Sequence, residues 1–151
     1  MSFKKIMACV DFSEISHQVV KVAGELANLA KAQALFVHVV EKEIPILVSE
    51  GMVIPQVEIE KCNEIYRILE EKAKETLEEM AKKIEGEWKV EVTPFVLVGE
   101  PFDLLLDKAE EEKVDLIVVG SHGKKGVERI LLGSVSEKVA RKAYCSVLVV
   151  R

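Results

Sequence analysis

The sequence predicts an α/β protein, a parallel sheet with helices on both faces. Three observations carry this. Short apolar runs alternate with longer segments whose apolar residues recur every three or four positions, the pattern of a β-α-β-α-β-α-β-α-β chain joined by right-handed crossovers. The apolar runs are nearly continuous rather than alternating, as in ALFVHVV (34–40) and LIVV (116–119), which is what strands buried on both faces require. Hydrophobic residues make up 49% of the chain but aromatics only 5%, so the core is built from Val, Ile, Leu and Ala. With 151 residues, the chain has the length of one domain, 1–151.

Each element has a local cause. Residues 5–10, KIMACV, form a first strand, and DFS turns the chain. Ser13 is placed to cap the following helix, its hydroxyl accepting an orphan backbone N–H. That helix runs over about 14–31 with Val19, Val22, Ala23, Leu26, Ala27 and Ala30 on one face. Residues 34–40 form the second strand. Residues 41–57 carry Pro45, Gly51 and Pro55 and read as a long loop. Residues 58–85 form the clearest helix: Ile59, Cys62, Tyr66, Leu69, Ala73, Leu77, Met80 and Ile84 make its apolar stripe, Glu and Lys its solvated face, and Gly86 its stop. Residues 90–98 give a third strand, which Pro94 assigns to an edge or a bend. Pro101 opens a helix to about 112 from a tolerated first-turn position. Residues 116–119 form the fourth strand, 134–143 a last helix and 146–150 the fifth strand. The apolar terminal strand lies at a sheet edge, a pairing liability that a two-fold dimer would cover.

The net charge of −5 argues against a general nucleic-acid binder, which needs a basic face. Cys9, Cys62 and Cys145 are odd in number, widely spaced and without a C-x-x-C, so they read as reduced thiols of a cytoplasmic protein rather than as a zinc or redox centre. The amino terminus carries no long apolar run before Asp11 and does not read as a signal peptide, and no run reaches the length of a membrane span.

Two strand ends have unusual followers. After the first come Cys9, Val10, Asp11, Phe12 and Ser13. After the fourth come Val119, Gly120, Ser121, His122 and Gly123. In open α/β sheets, ligands bind beyond the carboxyl ends of strands where the strand order reverses. Glycines at 120 and 123 allow positive φ and close backbone approach, and successive N–H groups in such a turn can form an anion-binding concavity. Gly133-Ser134-Val135-Ser136 then opens a helix, whose first N–H groups lack intrahelical partners and carry the positive end of its dipole. Ser134 and Ser136 add hydroxyls, and Lys124, Lys125 and Arg129 lie between the two segments. Neither G-x-x-x-x-G-K-[ST] nor G-x-G-x-x-G is present. On these residues alone, a phosphate-holding loop and a plain surface crossover are both open.

The same residues resemble a known family. G-S-H-G, nine residues, then G-S is similar to the G-x-x-G-x9-G-[ST] pattern of the ATP-binding universal stress proteins, the UspA-like domains. The resemblance extends to the D-F-S after the first strand, the H-V-V ending the second, the V-D-L-I-V-V-G-S-H-G block, the helix start G-S-V-S-E-K-V-A and the closing C-S-V-L-V-V. It implies a Rossmann-like, adenine nucleotide α-hydrolase-like sheet of five parallel strands in the order 3-2-1-4-5, with the reversal between the first and fourth strands. It further implies ATP or AMP at that point, with Mg²⁺ bridging the phosphates when ATP is bound. By position, Cys9, Val10 and Asp11 would line the adenosine side and Val40 would lie near the adenine. Val119, Gly120 and Gly123 would flank the ribose and phosphates, and Gly133, Ser134, Val135 and Ser136 would hold the phosphates. Where many members of that family carry Pro-Thr or Ala-Val before the aspartate, this chain carries Cys9-Val10.

Asp11 has two readings, turn residue or ligand to ribose or adenine. His122 without an evident carboxylate partner reads as structural rather than as a catalytic base. His38 reads as a satisfied core residue and His17 as a surface one. Cys9 has no base to make it a thiolate and reads as inert. Two classes of function follow. One is a nucleotide-dependent regulatory module of the stress response, dimeric through the terminal edge strand and facing a protein partner. The other is a slow ATPase or nucleotidyl-transfer enzyme, disfavoured by the lack of a general base, a Walker lysine and a carboxylate pair. A receiver-like domain would need more acidic residues beside Asp11, and a flavodoxin-like one more aromatic residues in its loops.

Overall fold

The computed structural model describes residues 2–42, 51, 55–123 and 132–151. Five strands, β1 (Lys5–Cys9), β2 (Gln33–Glu41), β3 (Val92–Gly99), β4 (Leu116–Gly120) and β5 (Ser146–Val150), form one parallel sheet in the order β3-β2-β1-β4-β5. Among the described residues the helices are α1 (Glu14–Ala30), α2 (Gln56–Trp88), α3 (Pro101–Glu111) and α4 (Ser134–Lys142). The central strand β1 pairs Ile6 with Ala34 of β2 on one side and with Leu116 of β4 on the other. Chain order reverses at β1, so β1 and β4 leave a crevice at their carboxyl ends.

Alternate residues of each strand serve opposite layers. Ile6, Ala8, Ala34, Phe36, Leu116 and Val118 pack with Val19, Ala23 and Ala27 of α1 and Leu77, Ala81 and Ile84 of α2. Met7, Leu35, Val37 and Ile117 pack on the other face with Leu105 and Ala109 of α3 and Val139 of α4. Phe36, Ile6 and Leu35 are among the largest fully buried side chains, each contributing roughly 1.5–3 kcal/mol by leaving water. The edge position of β3 accounts for Pro94 within it, opposite Phe36 of β2.

The strip of α2 expected to be buried is buried only in part. Ala73, Leu77, Ala81 and Ile84 meet the sheet, whereas Ile59 and Leu69 remain 40% and 45% exposed, and Cys62 is exposed as well. Val57, Ile65 and Ile68, outside the stripe, are more exposed still. The cause is length. A helix of 33 residues spans about 50 Å, while the nine residues of β2 reach about 30 Å. The amino-terminal half of α2 therefore extends past the sheet.

Gly86 does not stop α2. The helix continues to Trp88 and ends on Lys89, in the left-handed region at φ 54°, whose N–H bonds the Glu85 carbonyl. The extra turn brings Trp88 onto the same face as Ile84, and both pack on α1 where Gly24 leaves room. A Cβ on Gly24 would lie 2.5 Å from Ile84 Cγ2 and 2.9 Å from Trp88 Cδ1. The packing of one indole thus overrides a local breaker.

Candidate functional site at the β1/β4 crevice

The turn after β1 is organised around one carboxylate oxygen. Asp11 Oδ1 accepts the Ser13 N–H at 3.0 Å, the Ser13 hydroxyl at 2.5 Å and the Ser16 hydroxyl at 2.8 Å. The first of these is the aspartate's own turn, a side chain reaching the backbone two residues on. Ser13 is the residue that precedes α1, with extended backbone, but its hydroxyl caps no N–H; it donates to Asp11 instead. The expected cap is therefore a brace for the carboxylate. Between them, Phe12 takes φ 60°, a left-handed conformation that costs a β-carbon-bearing residue about 1–2 kcal/mol. Its ring stacks on His38 with centroids 4.1 Å apart and packs against the α1/α2 core, which offsets that cost.

His38 is a core residue with a defined job. Its Nδ1 lies 2.7 Å from the Val10 carbonyl, so Nδ1 carries the proton and donates. The Val10 N–H in turn donates to the Val37 carbonyl at 2.9 Å. Cys9, at the end of β1, packs with the α3/α4 core. Burial, and after it the nearby Cys145 and Asp11, push its thiol up to about 12, so it stays a protonated thiol at neutral pH. His17 is exposed, and Val40 is buried three register positions beyond Val37, the partner of Cys9.

The second wall comes from β4. Gly120 ends the strand. A Cβ there would lie 2.9 Å from Ile15 Cγ2 of α1, and one on Gly123 would lie 2.5 Å from Asp11 Oδ2. Neither glycine uses positive φ, contrary to the reading from sequence. What the chain needs at both positions is the absence of a side chain, so that the β4 turn can close on α1 and on the carboxylate. Gly123 and Asp11, 112 positions apart in sequence, are thereby held together across the crevice. Ser121 Oγ and His122 Nδ1 are 3.0 Å apart, a bond between neighbours on the turn. Val119, the residue before Gly120 in β4, is buried beside Val149 of β5.

The third wall is the start of α4. The Gly133 N–H bonds the Ser121 carbonyl at 2.7 Å, stitching this helix to the β4 turn. The first intrahelical bond is from the Glu137 N–H to the Gly133 carbonyl, so the N–H groups of Ser134, Val135 and Ser136 lack intrahelical acceptors. Ser136 is buried and its hydroxyl donates to the Gly133 carbonyl at 2.9 Å, so what it offers the crevice is its backbone N–H. Ser134 and Val135 are more open. Gly133 itself has ordinary helix-entry angles, φ −61° and ψ 157°, and a Cβ there would meet nothing closer than 3.5 Å. Lys124, Lys125 and Arg129 lie outside the described residues.

Sequence reasoning brings out Asp11, the glycines and the α4 start, but it misses Ser16. The signal was present in the D-F-S-x-x-S spacing: Ser16 is the third residue of α1, the position from which a side chain reaches back to the residues before a helix.

Residues 2–151 match the model of the universal stress protein family. A universal stress protein of Methanocaldococcus jannaschii is 37% identical over 150 residues, covering 99% of this chain and 82% of that protein. Among solved structures, that of the Methanocaldococcus jannaschii protein MJ0577 superposes with a TM-score of 0.82 at 33% identity, covering 99% of this chain and 96% of the other. A universal stress protein solved in complex with cAMP matches at 26% identity and TM-score 0.67, over 100% and 98% of the two chains. One from Archaeoglobus fulgidus solved with dAMP matches at 26% identity and TM-score 0.65, over 100% of each chain. The five-stranded order, the glycine-lined crevice and these matches agree, and the chain belongs to the universal stress protein family.

Proposed function

We propose that this chain is a nucleotide-binding regulatory module that holds ATP or AMP in the β1/β4 crevice. The observation that carries the reading is the convergence of three segments there: the Asp11 carboxylate, the side-chain-free turn at Gly120 and Gly123, and the α4 N-terminus tied to that turn through Gly133 and Ser121. The chemistry of these groups suits an adenine nucleotide. A carboxylate accepts from a nucleoside donor, while the N–H groups of Ser134, Val135 and Ser136 and the dipole of α4 favour phosphate. Cys9, Val10 and Val40 lie on the nucleoside side, Val119, Gly120 and Gly123 between, and Gly133 to Ser136 on the phosphate side. Mg²⁺ would reach the site on the phosphates of ATP. The complexes of related proteins with cAMP and dAMP support the same class of ligand.

The role is regulatory, in a stress response, with a protein partner reading the nucleotide state. We place a two-fold dimer contact at β5, an edge strand whose Leu148 remains exposed. Extraction of purified protein followed by chromatography should yield a bound adenine nucleotide, and calorimetry should show ATP or AMP binding. No binding of either refutes the assignment. Repeated phosphate release per site would move the protein to the enzymes. A solution mass of one chain at micromolar concentration would refute the dimer.

A further inference from the structure

We propose that a groove between the start of α3 and the outer face of α4 docks an acidic segment of a protein partner, and that phosphate at the α4 N-terminus weakens this docking; the second half rests on the nucleotide reading of the crevice. The groove encloses about 410 Å³ and is lined by Phe102 of α3 and by Ser134, Glu137, Lys138, Arg141 and Lys142 of α4. Helix α4 thus presents three cations and one carboxylate, on a chain whose net charge is −5. The α4 dipole favours Arg141 and Lys142 in the last turn, but Lys138 sits mid-helix and gains nothing from it.

Each group has a place in the docking. Phe102 packs against the core under α3 and α4 and stays half-buried, with the Lys138 ammonium 5.6 Å from its ring centroid. A ring held by the core beneath a cationic rim suits an apolar side chain flanked by carboxylates. Glu137, the one carboxylate of the lining, bonds Arg141 at 2.8 Å. Both members of that pair are exposed, so it holds weakly, and Arg141 turns to an incoming carboxylate at little cost. The carboxylates at the start of α3 lie outside the lining, and Glu100 caps its own helix by accepting the Asp103 N–H at 2.8 Å. Lys138 and Lys142, one turn apart, have no ion-pair partner among the described residues.

The groove also reaches Ser134, whose N–H is one of the three proposed to hold phosphate. Lys138 follows four residues later, about 6 Å along the helix axis and inside a Debye length of about 8 Å. A phosphate at Ser134 therefore draws on the same cations as the partner's carboxylates and repels those carboxylates. ATP brings more phosphate charge than AMP, so ATP releases the partner more strongly. The coupling is reciprocal: the partner weakens ATP by the same factor.

The probe is a synthetic peptide with glutamates around two central leucines, and its control carries glutamine in place of each glutamate. Titrated to about 1 mM into the isotope-labelled full chain, the glutamate peptide should move the NMR amide resonances of Phe102, Ser134, Lys138 and Lys142, and the control should not. Lys138→Gln with Lys142→Gln should weaken the glutamate peptide about tenfold. Lys72→Gln with Lys82→Gln, the same charge change on exposed lysines of α2, should alter it by less than about twofold. Thermal melts confirm that each variant folds. Saturating ATP should weaken the peptide about threefold or more, and AMP less. No shift in the groove, equal binding of the two peptides, or an equal loss in the two double variants overturns the docking. Oligothymidylate that moves these amides where the peptide does not makes the groove a nucleic-acid contact and overturns it as well. Peptide affinity unchanged by bound ATP overturns the release by phosphate. Should the wild-type protein bind no nucleotide, the proposed function fails while the peptide titration still decides the docking.

Discussion

Gly133→Ser separates the fold from the site. Gly133 precedes α4 with φ −61° and ψ 157°, angles that any residue adopts, and a Cβ there would rest 3.5 Å from His122 Cα, the Ser121 carbonyl and Ser136 Oγ, ordinary contacts. Serine is also a better helix cap than glycine, by a few tenths of a kcal/mol. The folded state therefore loses nothing, and urea unfolding should give a stability within about 0.5 kcal/mol of wild type. The ligand fares differently. The new side chain would stand at the mouth of the helix N-terminus where phosphate is proposed to lie, and an overpacked contact costs about 1–3 kcal/mol. ATP affinity should fall by roughly ten- to a hundredfold, since about 1.4 kcal/mol is a factor of ten. Calorimetry on the variant, paired with the unfolding curve, measures both quantities. Full ATP affinity in a stable Gly133→Ser protein would refute the placement of phosphate at α4. A collapse of stability would refute the reading that glycine is required here by the ligand and not by the fold.

Gly123→Ala is the converse case: its Cβ would come 2.5 Å from Asp11 Oδ2, so it should lower stability by about 1–3 kcal/mol without any ligand, and an unchanged urea midpoint would show that the turn yields freely. Gly24→Ala sets helix propensity, about 1 kcal/mol in favour of alanine, against a collision with Ile84 and Trp88. The collision should prevail by about 1 kcal/mol, lowering Tm by about 2–4 °C, and a raised Tm would show that α2 moves away without cost. Cys9 should resist iodoacetamide at pH 8 while the exposed Cys62 reacts, and mass spectrometry of the labelled peptides distinguishes them. Its thiol is raised in the folded state from 9.0 to about 12, so its contribution is complete below pH 9 and is lost as pH rises towards 12, where the unfolded chain ionises first. The stability difference between wild type and Cys9→Ala should therefore shrink over that range, and a difference that stays flat would refute the burial of the thiol.

The sheet was legible because each strand's apolar run is continuous and each helix's stripe is periodic, so the alternation of elements is written locally. The strand order was not; it came through the resemblance carried by the D-F-S turn and the glycine spacing. Helix ends were the weakest point, as at Gly86, because a breaker acts locally while Trp88 gains its contacts from α1, more than fifty residues away. At the site, the glycines were legible as residues but not in their reason. Nothing local to Gly123 shows that an aspartate near the amino terminus will occupy the space of its missing side chain. At Ser13 the competitor is local instead. A hydroxyl before a helix usually serves that helix, but here the carboxylate two residues earlier takes it first.

The overhang of α2 has a consequence for how this protein opens. Along residues 56–72 the backbone hydrogen bonds are guarded by little beyond the helix itself, whereas from Ala73 onward they lie against the sheet. Local opening is drawn from segments with few buried apolar contacts. Amide hydrogen exchange should therefore break this single helix into two kinetic blocks, a fast one before Ala73 and a slow one after it that opens only with the sheet. The boundary between them marks where a geometrically continuous element stops being part of the cooperative unit.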